Sequence, residues 1–287
     1  MKKLVCLGGG NAMPNAVLKE LKNEEIELSV ISAVLDSGGS SGKLRDDLNI
    51  IAVGDLRRSL LELSTLDEKT KEVFTYRFLE GDLKGHNLGN LVIASILLKE
   101  ENPVKFLNEF FKTKFDVFPA TLQKADLCAE LENGETIKGE TNIDIPKHNS
   151  KIKKVFLTNK VEVFKQASEK IKEADAIIIG PGDLYSSLIQ ILLVSGIPES
   201  IQESKAKVIY ICNSKNKKGE TTDFVVDDFE KEIEKYLGKK LDYVIFNNTK
   251  GIDLVGFNQY NDSKHIGLDL ESVHDSRKLV NQLIKLI

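Results

Sequence analysis

Residues 28–35 (LSVISAVL) run directly into residues 36–43 (DSGGSSGK), and this junction decides the fold of the chain. The first part is mostly apolar and is typical of a strand buried on both faces of a parallel sheet. The glycine- and serine-rich part then lies at the strand's carboxyl end, where small side chains leave backbone N–H groups free to face an anion. Lys43 and Arg45 add positive charge. We therefore predict a ligand-binding loop here; a flexible surface loop is the alternative.

The same succession of apolar strand and polar or glycine-rich loop recurs along the chain, and helix-like runs separate the copies. Such alternation predicts a doubly wound α/β fold with a mostly parallel sheet. Small ligands bind such folds outside the carboxyl ends of the strands, where the strand order reverses. The further strand ends are Gly8-Gly9-Gly10-Asn11, Gly180-Pro181-Gly182-Asp183, Asn213 and Asn247-Asn248.

Residues 106–157 have a different texture, polar and alternating. Strand-like residues 121–131 and 136–145 flank the turn sequence ENGE at residues 132–135. This pattern predicts a small antiparallel excursion. A lid, a dimer arm and an ordinary insertion all remain open as its role, and we expect it to form part of a single domain over residues 1–287.

The composition limits the classes of function. With 41% apolar residues in 287, the chain can bury a full core, and 40 basic against 44 acidic residues leave no global basic field for nucleic acid. We expect a small-molecule partner. The three cysteines are far apart, the apolar part of the N-terminus is too short for a signal peptide, and no stretch approaches a membrane span, so we expect a cytoplasmic protein.

Spacing argues against three familiar motifs. A P-loop would need glycine where Ser37 stands and Ser or Thr where Leu44 stands. The first glycine loop has Met13 where the dinucleotide fingerprint has its third glycine, although anion binding at a helix starting near Pro14 stays open. The four histidines have no metal-ligand spacing, so no zinc site is expected.

Two carboxylates and one histidine are candidates for chemistry. Asp36 follows the deciding strand, and Asp55 precedes an amphipathic run, where it is either a helix N-cap or a ligand residue. His86 lies just before the helical run 91–98. Because histidine side chains in general can gain or lose a proton near neutral pH, His86 is either a general acid or base or a structural hydrogen-bonding residue.

Other polar residues have two interpretations each. Arg58 is either a phosphate clamp, together with Arg77, or the partner of Glu62 in a surface ion pair at helical i,i+4 spacing. Tyr185 either stacks on a base or packs in the core.

At these residues the chain resembles the YvcK/CofD-like family, which includes bacterial gluconeogenesis factors and 2-phospho-L-lactate transferases. The resemblance runs over nearly the full length and is closer to the gluconeogenesis-factor branch. The sequence blocks that carry it are Leu7-Gly8-Gly9-Gly10, residues 36–45, Gly54-Asp55-Leu56-Arg57, Tyr76-Arg77-Phe78, residues 85–91, Pro119-Ala120-Thr121-Leu122, residues 139–143, residues 180–187, Ile211-Cys212-Asn213, Gly219-Glu220-Thr221 and His274-Asp275.

The resemblance implies a Rossmann-like fold with three α/β/α layers. It also implies a homodimer that binds a nucleotide or nucleotide-sugar and acts in carbon metabolism or cell-envelope precursor supply. If the protein is an enzyme, Asp36, Asp55 and His86 are its catalytic residues, and Asp36 and Asp55 hold Mg²⁺. The residues expected to bind the nucleotide or its phosphates are Gly8, Gly9, Gly10, Asn11, Gly38, Gly39, Ser40, Ser41, Lys43, Arg45, Arg58, Asn87, Asn90, Gly180, Gly182, Asp183, Tyr185 and Ser186.

One departure from the family pattern bears on function. Where the gluconeogenesis-factor branch usually has paired aspartates, this chain has Asp36-Ser37. Loss of a carboxylate weakens metal-assisted transfer. Two hypotheses therefore stand: a nucleotide-binding regulator without turnover, which Ser37 favours, and a transferase that moves a phospho-substrate of the 2-phospho-L-lactate type from a nucleoside diphosphate carrier to an acceptor.

Overall fold

The computed structural model describes residues 1–148, 150–248, 260, 262–270 and 275–287. Seven parallel strands form its central sheet, in the order β10-β9-β8-β7-β1-β2-β3. These strands are β1 (Lys2–Gly8), β2 (Ile26–Ser32), β3 (Asp116–Pro119), β7 (Ala176–Ile179), β8 (Lys207–Ile211), β9 (Tyr243–Asn247) and β10 (His265–Leu268).

The strand order reverses beside β1. From β1 the chain moves outward through β2 to β3, and it later returns to β7, which pairs with the other edge of β1 through Leu4↔Ala176 to Leu7↔Ile179. The switch point therefore lies between the carboxyl ends of β1 and β7, where this fold class binds small ligands.

Helices cover both faces of the sheet. Alternate residues of β1 enter opposite hydrophobic cores, Val5 and Leu7 on one face and Leu4 and Cys6 on the other. This burial confirms the predicted doubly wound α/β fold. The helices are a π-helical segment (Pro14–Leu18) leading into α1 (Lys19–Leu21), α2 (Gly39–Leu48), α3 (Gly54–Leu63), α4 (Glu68–Thr75), α5 (Leu88–Lys99), α6 (Pro103–Phe110), α7 (Glu140–Asp144), α8 (Lys165–Glu173), a second π-helical segment (Leu184–Ile189) leading into α9 (Gln190–Leu192), α10 (Ile197–Glu203), α11 (Val226–Leu237) and α12 (Ser276–Leu286).

A small antiparallel sheet, ordered β5-β4-β6, confirms the predicted excursion, although its extent differs. Its strands are β4 (Leu127–Leu131), β5 (Thr136–Lys138) and β6 (Ile152–Leu157). Residues 106–119 instead belong to the main body, because buried Val104 and Leu107 give α6 an apolar face and β3 pairs with β2. The strand predicted for residues 136–145 stops early, since Gly139 has φ +96° and α7 follows it.

The deciding strand is shorter than predicted. β2 ends at Ser32. Ala33 N still donates to Gly8 O at the end of β1, but Val34 O accepts from Ala52 N and Leu35 N donates to Gln190 Oε1 in α9, so the buried residues 33–35 leave the sheet. Within the described ranges, no helix has the length and apolar character needed to cross a membrane.

Candidate ligand-binding site

A cleft of about 340 Å³ lies at the switch point. Two of the predicted glycine loops meet in it, one after β1 and one after β7, and the loop after β8 closes its third side. The cleft is lined by Gly9, Gly10, Asn11, Ala12, Pro181, Gly182, Asp183, Ser187, Asn213, Ser214 and Lys215. Its walls are therefore mainly backbone and small polar side chains, which suits a phosphate-bearing ligand.

The loop after β1 is held against Asp55. A Cβ at Gly9 would lie 2.2 Å from Asp55 Oδ2, and Gly10 has φ +65° and hydrogen-bonds Asp55 through its backbone. The N-cap interpretation of Asp55 is wrong. Ser41 Oγ accepts hydrogen bonds from Val53 N (2.9 Å) and Gly54 N (3.0 Å) at the start of α3, which leaves Asp55 to support the glycine loop.

Asp55 forms an ion pair with Arg58. Burial raises the pKa of Asp55, whereas Arg58 and the backbone of Gly10 lower it and the charge of Asp36 raises it again. The pair predicted between Arg58 and Glu62 is not formed, because Glu62 accepts from Lys22 at 2.8 Å. Asp36 and Asp55 are thus close enough to interact electrostatically, as a shared role requires.

Glu220 occupies the helix start that follows β7. Its Oε1 accepts hydrogen bonds from Tyr185 N (2.9 Å) and Ser186 N (3.3 Å), and Ser186 Oγ donates to Asp144 (3.1 Å). Tyr185 and Ser186, both predicted to bind the nucleotide or its phosphates, therefore already have hydrogen-bond partners within the protein. Burial, with the charge of Asp183, raises the pKa of Glu220 to about 7.

Tyr185 is fully buried in the hydrophobic core. Of its two interpretations the structure shows core packing, so its ring does not face the cleft. Gly180, with φ +84°, lies just before the cleft-lining residues and makes the sharp turn out of β7. Gly8 is the last residue of β1 and is buried.

Arg45 does not belong to an exposed anion site. It is 1% exposed, and its Nη2 donates to Ala125 O at 2.7 Å and to Asp126. The loop ahead of it is closed by Asp36, whose Oδ1 accepts from Gly38 N at 2.7 Å. Of the other predicted loop residues, Lys43 is exposed on α2 and Gly39 has φ +53°.

Ser40 joins α2 to the start of α5. Its Oγ accepts from Asn87 N (3.1 Å) and Asn90 Nδ2 (3.2 Å), and His86 Nδ1 lies 3.3 Å away. Asn87 also caps α5 by accepting from Asn90 N. These four residues lie together but outside the switch-point cleft, and their contacts fit the structural interpretation of His86.

The family comparison agrees with this architecture. The family model described as "2-phospho-L-lactate transferase CofD" matches residues 4–285. This chain belongs to the CofD family. Membership confirms the resemblance seen in the sequence, and the comparison with individual relatives places the chain near the gluconeogenesis-factor branch.

Among its CofD-family relatives, the "Gluconeogenesis factor" of Listeria innocua is 40% identical over 253 residues, covering 86% of this chain and 78% of that protein. The "Gluconeogenesis factor" of Listeria monocytogenes is 38% identical with the same coverage. The crystal structure of protein BH3568 from Bacillus halodurans matches with a TM-score of 0.89 and 31% identity over 99% of both chains.

Glu140 supplies a carboxylate beside Asp36. It lies in the sequence block of residues 139–143, but the sequence did not predict a role for it. Ser37 positions it: Thr141 N donates to Ser37 Oγ (3.0 Å), and Ser37 N lies 3.4 Å from Glu140 Oε2. Burial, then the charge of Asp36 and a hydrogen bond to it, raises the pKa of Glu140 to about 8. Two oxygen-donor side chains that repel when both are ionised fit a hard divalent cation such as Mg²⁺.

A second group of potential metal-ligand side chains lies on α11 and β10. Ligand atoms of Asp227, Glu230 and His265 lie within 4.8 Å of one another. Lys264 and His265 both pair with Glu230, and Tyr260 donates to Asp227. Because a lysine already neutralises the group, we interpret it as a structural ion-pair network.

Glu140 predicts an unusual dependence of stability on pH. Its pKa is about 8 in the folded protein against an ordinary value of 4.5, so between these pH values the folded state binds a proton that the unfolded state has lost. The free energy of unfolding therefore falls as the pH rises from about 4.5 to about 8. Glu140→Gln, which mimics the protonated side chain, should be about 2 kcal/mol more stable than the wild type at pH 8 and nearly equal to it at pH 5. Urea denaturation at both pH values measures this difference.

The exposed Glu101→Gln variant is the control, and it should follow the wild type at both pH values. An unchanged pH slope in Glu140→Gln would show that Glu140 ionises normally beside Asp36.

Proposed function

We propose that the switch-point cleft binds a nucleotide or nucleotide-sugar, with its phosphates against the backbone of Gly9, Gly10 and Gly182. The observation that carries the proposal is the meeting of two glycine loops at the point where the strand order reverses. Asn11, Asn213 and Lys215 line the same cleft and supply polar contacts and one positive charge. A cleft of about 340 Å³ falls within the usual size of small-molecule sites.

We further propose that the protein acts as a regulator of carbon metabolism or envelope precursor supply, without turnover of its own. In support, the groups predicted to do chemistry are held by other parts of the protein. Asp55 pairs with Arg58 and supports the glycine loop, and His86 lies against Ser40. The Listeria relatives named gluconeogenesis factor agree with such a role.

A transferase is the second candidate, and the Asp36–Glu140 pair favours it. These carboxylates, with Asp55 nearby, would hold Mg²⁺, which would neutralise charge on a phosphoryl group. The CofD family description also names a transferase. Incubation with a nucleoside diphosphate-linked 2-phospho-L-lactate, an acceptor alcohol and Mg²⁺ separates the two candidates: Mg²⁺-dependent release of free nucleotide that is lost in Asp36→Asn would establish turnover.

Ligand binding should raise the melting temperature. A nucleotide or nucleotide-sugar at about 100 times its Kd stabilises the folded state by roughly 2.7 kcal/mol, which corresponds to a rise of about 5 °C for a chain of this size. A thermal-shift panel of nucleotides and nucleotide-sugars, with and without Mg²⁺, measures the effect. Gly182→Ala and Asn213→Ala should reduce the rise, because both positions line the cleft.

Gly182→Ala should fold, because Gly182 does not have a left-handed φ. The atoms nearest to the added Cβ belong to the side chains of Leu188 (3.0 Å) and Ser187 (3.2 Å). Asn133→Ala, in the exposed turn after β4, is the matched control for Asn213→Ala and should keep the full rise. Equal rises in all variants would move the ligand out of this cleft.

The homodimer and the cytoplasmic location stay predictions. Large apolar side chains are exposed on α4, α6 and the segment between α4 and α5, including Val73, Tyr76, Leu79, Phe106 and Phe110. We propose this surface as the dimer contact. Light scattering on the purified protein would check whether the protein is a dimer.

A further inference from the structure

A second cleft, of about 490 Å³, adjoins the first. It lies on the other side of the loop after β1, between the first π-helical segment and helices α3 and α4, and Asn11 borders both clefts. The residues lining it are Asn11, Pro14, Asn15, Lys19, Lys22, Arg57, Arg58, Leu61, Glu62, Glu68, Lys71 and Thr75. This is a polar cleft rather than an apolar ligand pocket.

The charges of this second cleft are predominantly positive, with five basic and two acidic side chains. Both acidic side chains are already paired, Glu62 with Lys22 at 2.8 Å and Glu68 with Lys71 at 2.9 Å, and Arg58 pairs with Asp55. Two cations therefore remain without an ion-pair partner among the residues that the structure describes: Lys19 and Arg57.

Arg57 is the more informative of the two. It is 9% exposed, and its Nε and Nη1 are inaccessible to solvent and have no hydrogen-bond partner in the described part of the chain. Its stem is held tightly, since a Cβ at Gly89 would lie 2.8 Å from Arg57 Cδ. An unpartnered buried guanidinium is costly, because the charge loses its hydration without replacement.

Neighbouring charges add to this cost. Burial, followed by the charges of Arg58 and Arg77, lowers the pKa of Arg57 to about 10 although the charge of Asp55 partly offsets them, so the side chain stays charged at neutral pH. Positive charges that converge on one cleft are stabilised by an anion, and the guanidinium of arginine forms strong, charge-assisted hydrogen bonds to phosphoryl oxygens.

We propose that the second cleft binds a phosphoryl group, with Arg57 as the residue that contacts it and Lys19 as a supporting charge. The phosphoryl group belongs either to a separate phosphorylated molecule or to the end of a ligand that extends past Asn11 from the first cleft. The proposal does not rest on nucleotide binding, because it follows from the unpartnered Arg57 and the basic lining of the second cleft.

Calorimetric titration with inorganic phosphate and pyrophosphate, at constant ionic strength, tests the proposal. We expect binding by the wild type and at least a tenfold higher Kd for pyrophosphate in Arg57→Met, with a smaller loss in Arg57→Lys. Arg277→Met is the matched control, since Arg277 is exposed and pairs with Glu20 and Glu24, and its Kd should equal that of the wild type.

Unfolding would not account for weaker pyrophosphate binding in Arg57→Met. The substitution removes a buried unpaired charge, so the variant should melt no lower than the wild type in phosphate-free buffer. Failure of the wild type to bind pyrophosphate, or a Kd in Arg57→Met within twofold of the wild type, would overturn the proposal.

Titration of pyrophosphate in the presence of the tightest nucleotide ligand identifies the source of the phosphoryl group. An unchanged Kd assigns the cleft to a separate phosphorylated molecule, and competition assigns it to the same ligand. A protein that binds pyrophosphate through Arg57 but no nucleotide would refute the proposed function and leave this inference standing.

Discussion

Replacement of Arg45 by methionine is expected to destabilise the protein by about 3 kcal/mol and to leave nucleotide binding intact. Arg45 is 1% exposed and joins α2 to the segment before β4 through Ala125 O and Asp126. Its removal leaves the buried Ala125 O without its donor and leaves Asp126 with the exposed Lys138 as its remaining charged partner. Urea denaturation measures the stability, and the nucleotide thermal shift measures the binding.

Arg277→Met provides the comparison, because this exposed arginine forms surface pairs that should contribute under about 1 kcal/mol. If Arg45→Met were as stable as the wild type but lost the nucleotide-induced shift, the phosphate-binding role expected from the sequence would be restored.

Gly42→Ala is expected to cost about 3 kcal/mol through overpacking against backbone. A Cβ at Gly42 would lie 2.1 Å from Ser37 O and 2.2 Å from Ser37 C, so α2 could not approach the loop that carries Asp36. Because Ser37 also holds Glu140 in place, the variant should lose the unusual pH dependence as well. Denaturation at pH 5 and pH 8 measures both effects.

Gly54→Ala is the control for this substitution, since its Cβ would meet Ser41 at 3.4 Å, an ordinary contact. It should stay within about 1 kcal/mol of the wild type. Comparable stabilities for the two alanine variants would mean that the loop shifts freely and does not fix the Asp36 region.

The sequence predicted β1, β2, β7, β8 and β9, because these strands are continuous apolar runs of the kind that a parallel sheet buries. It did not predict β3, which lies in the stretch assigned to the antiparallel excursion, or β10. It also did not predict where residues 33–35 leave the sheet. These residues are as apolar as β2, and only the hydrogen bonds of Val34 O with Ala52 N and of Leu35 N with Gln190 distinguish them. β5 ends early because Gly139 adopts a positive φ. A single glycine in the sequence allows this conformation but does not show that the chain adopts it.

The site was predicted less completely, for a physical reason. Glycine-rich strand ends indicated the loops of the first cleft, but a motif does not say which polar groups already have partners. Arg45 and Ser186 bind Asp126 and Asp144, residues distant in sequence, and Glu140 reaches Asp36 from α7. Such long-range pairs leave no local pattern. Arg57 had one signal, its place in the Gly54-Asp55-Leu56-Arg57 block, but its unpartnered state is visible only in three dimensions.

The central claim is that a nucleotide-type ligand binds between the glycine loops at the switch point. A crystal structure of the protein with the panel compound that stabilises it most tests this claim directly. We predict phosphate oxygens at about 3 Å from backbone N–H groups of Gly9 or Gly182. Ligand density elsewhere, with none between these loops, would contradict the account.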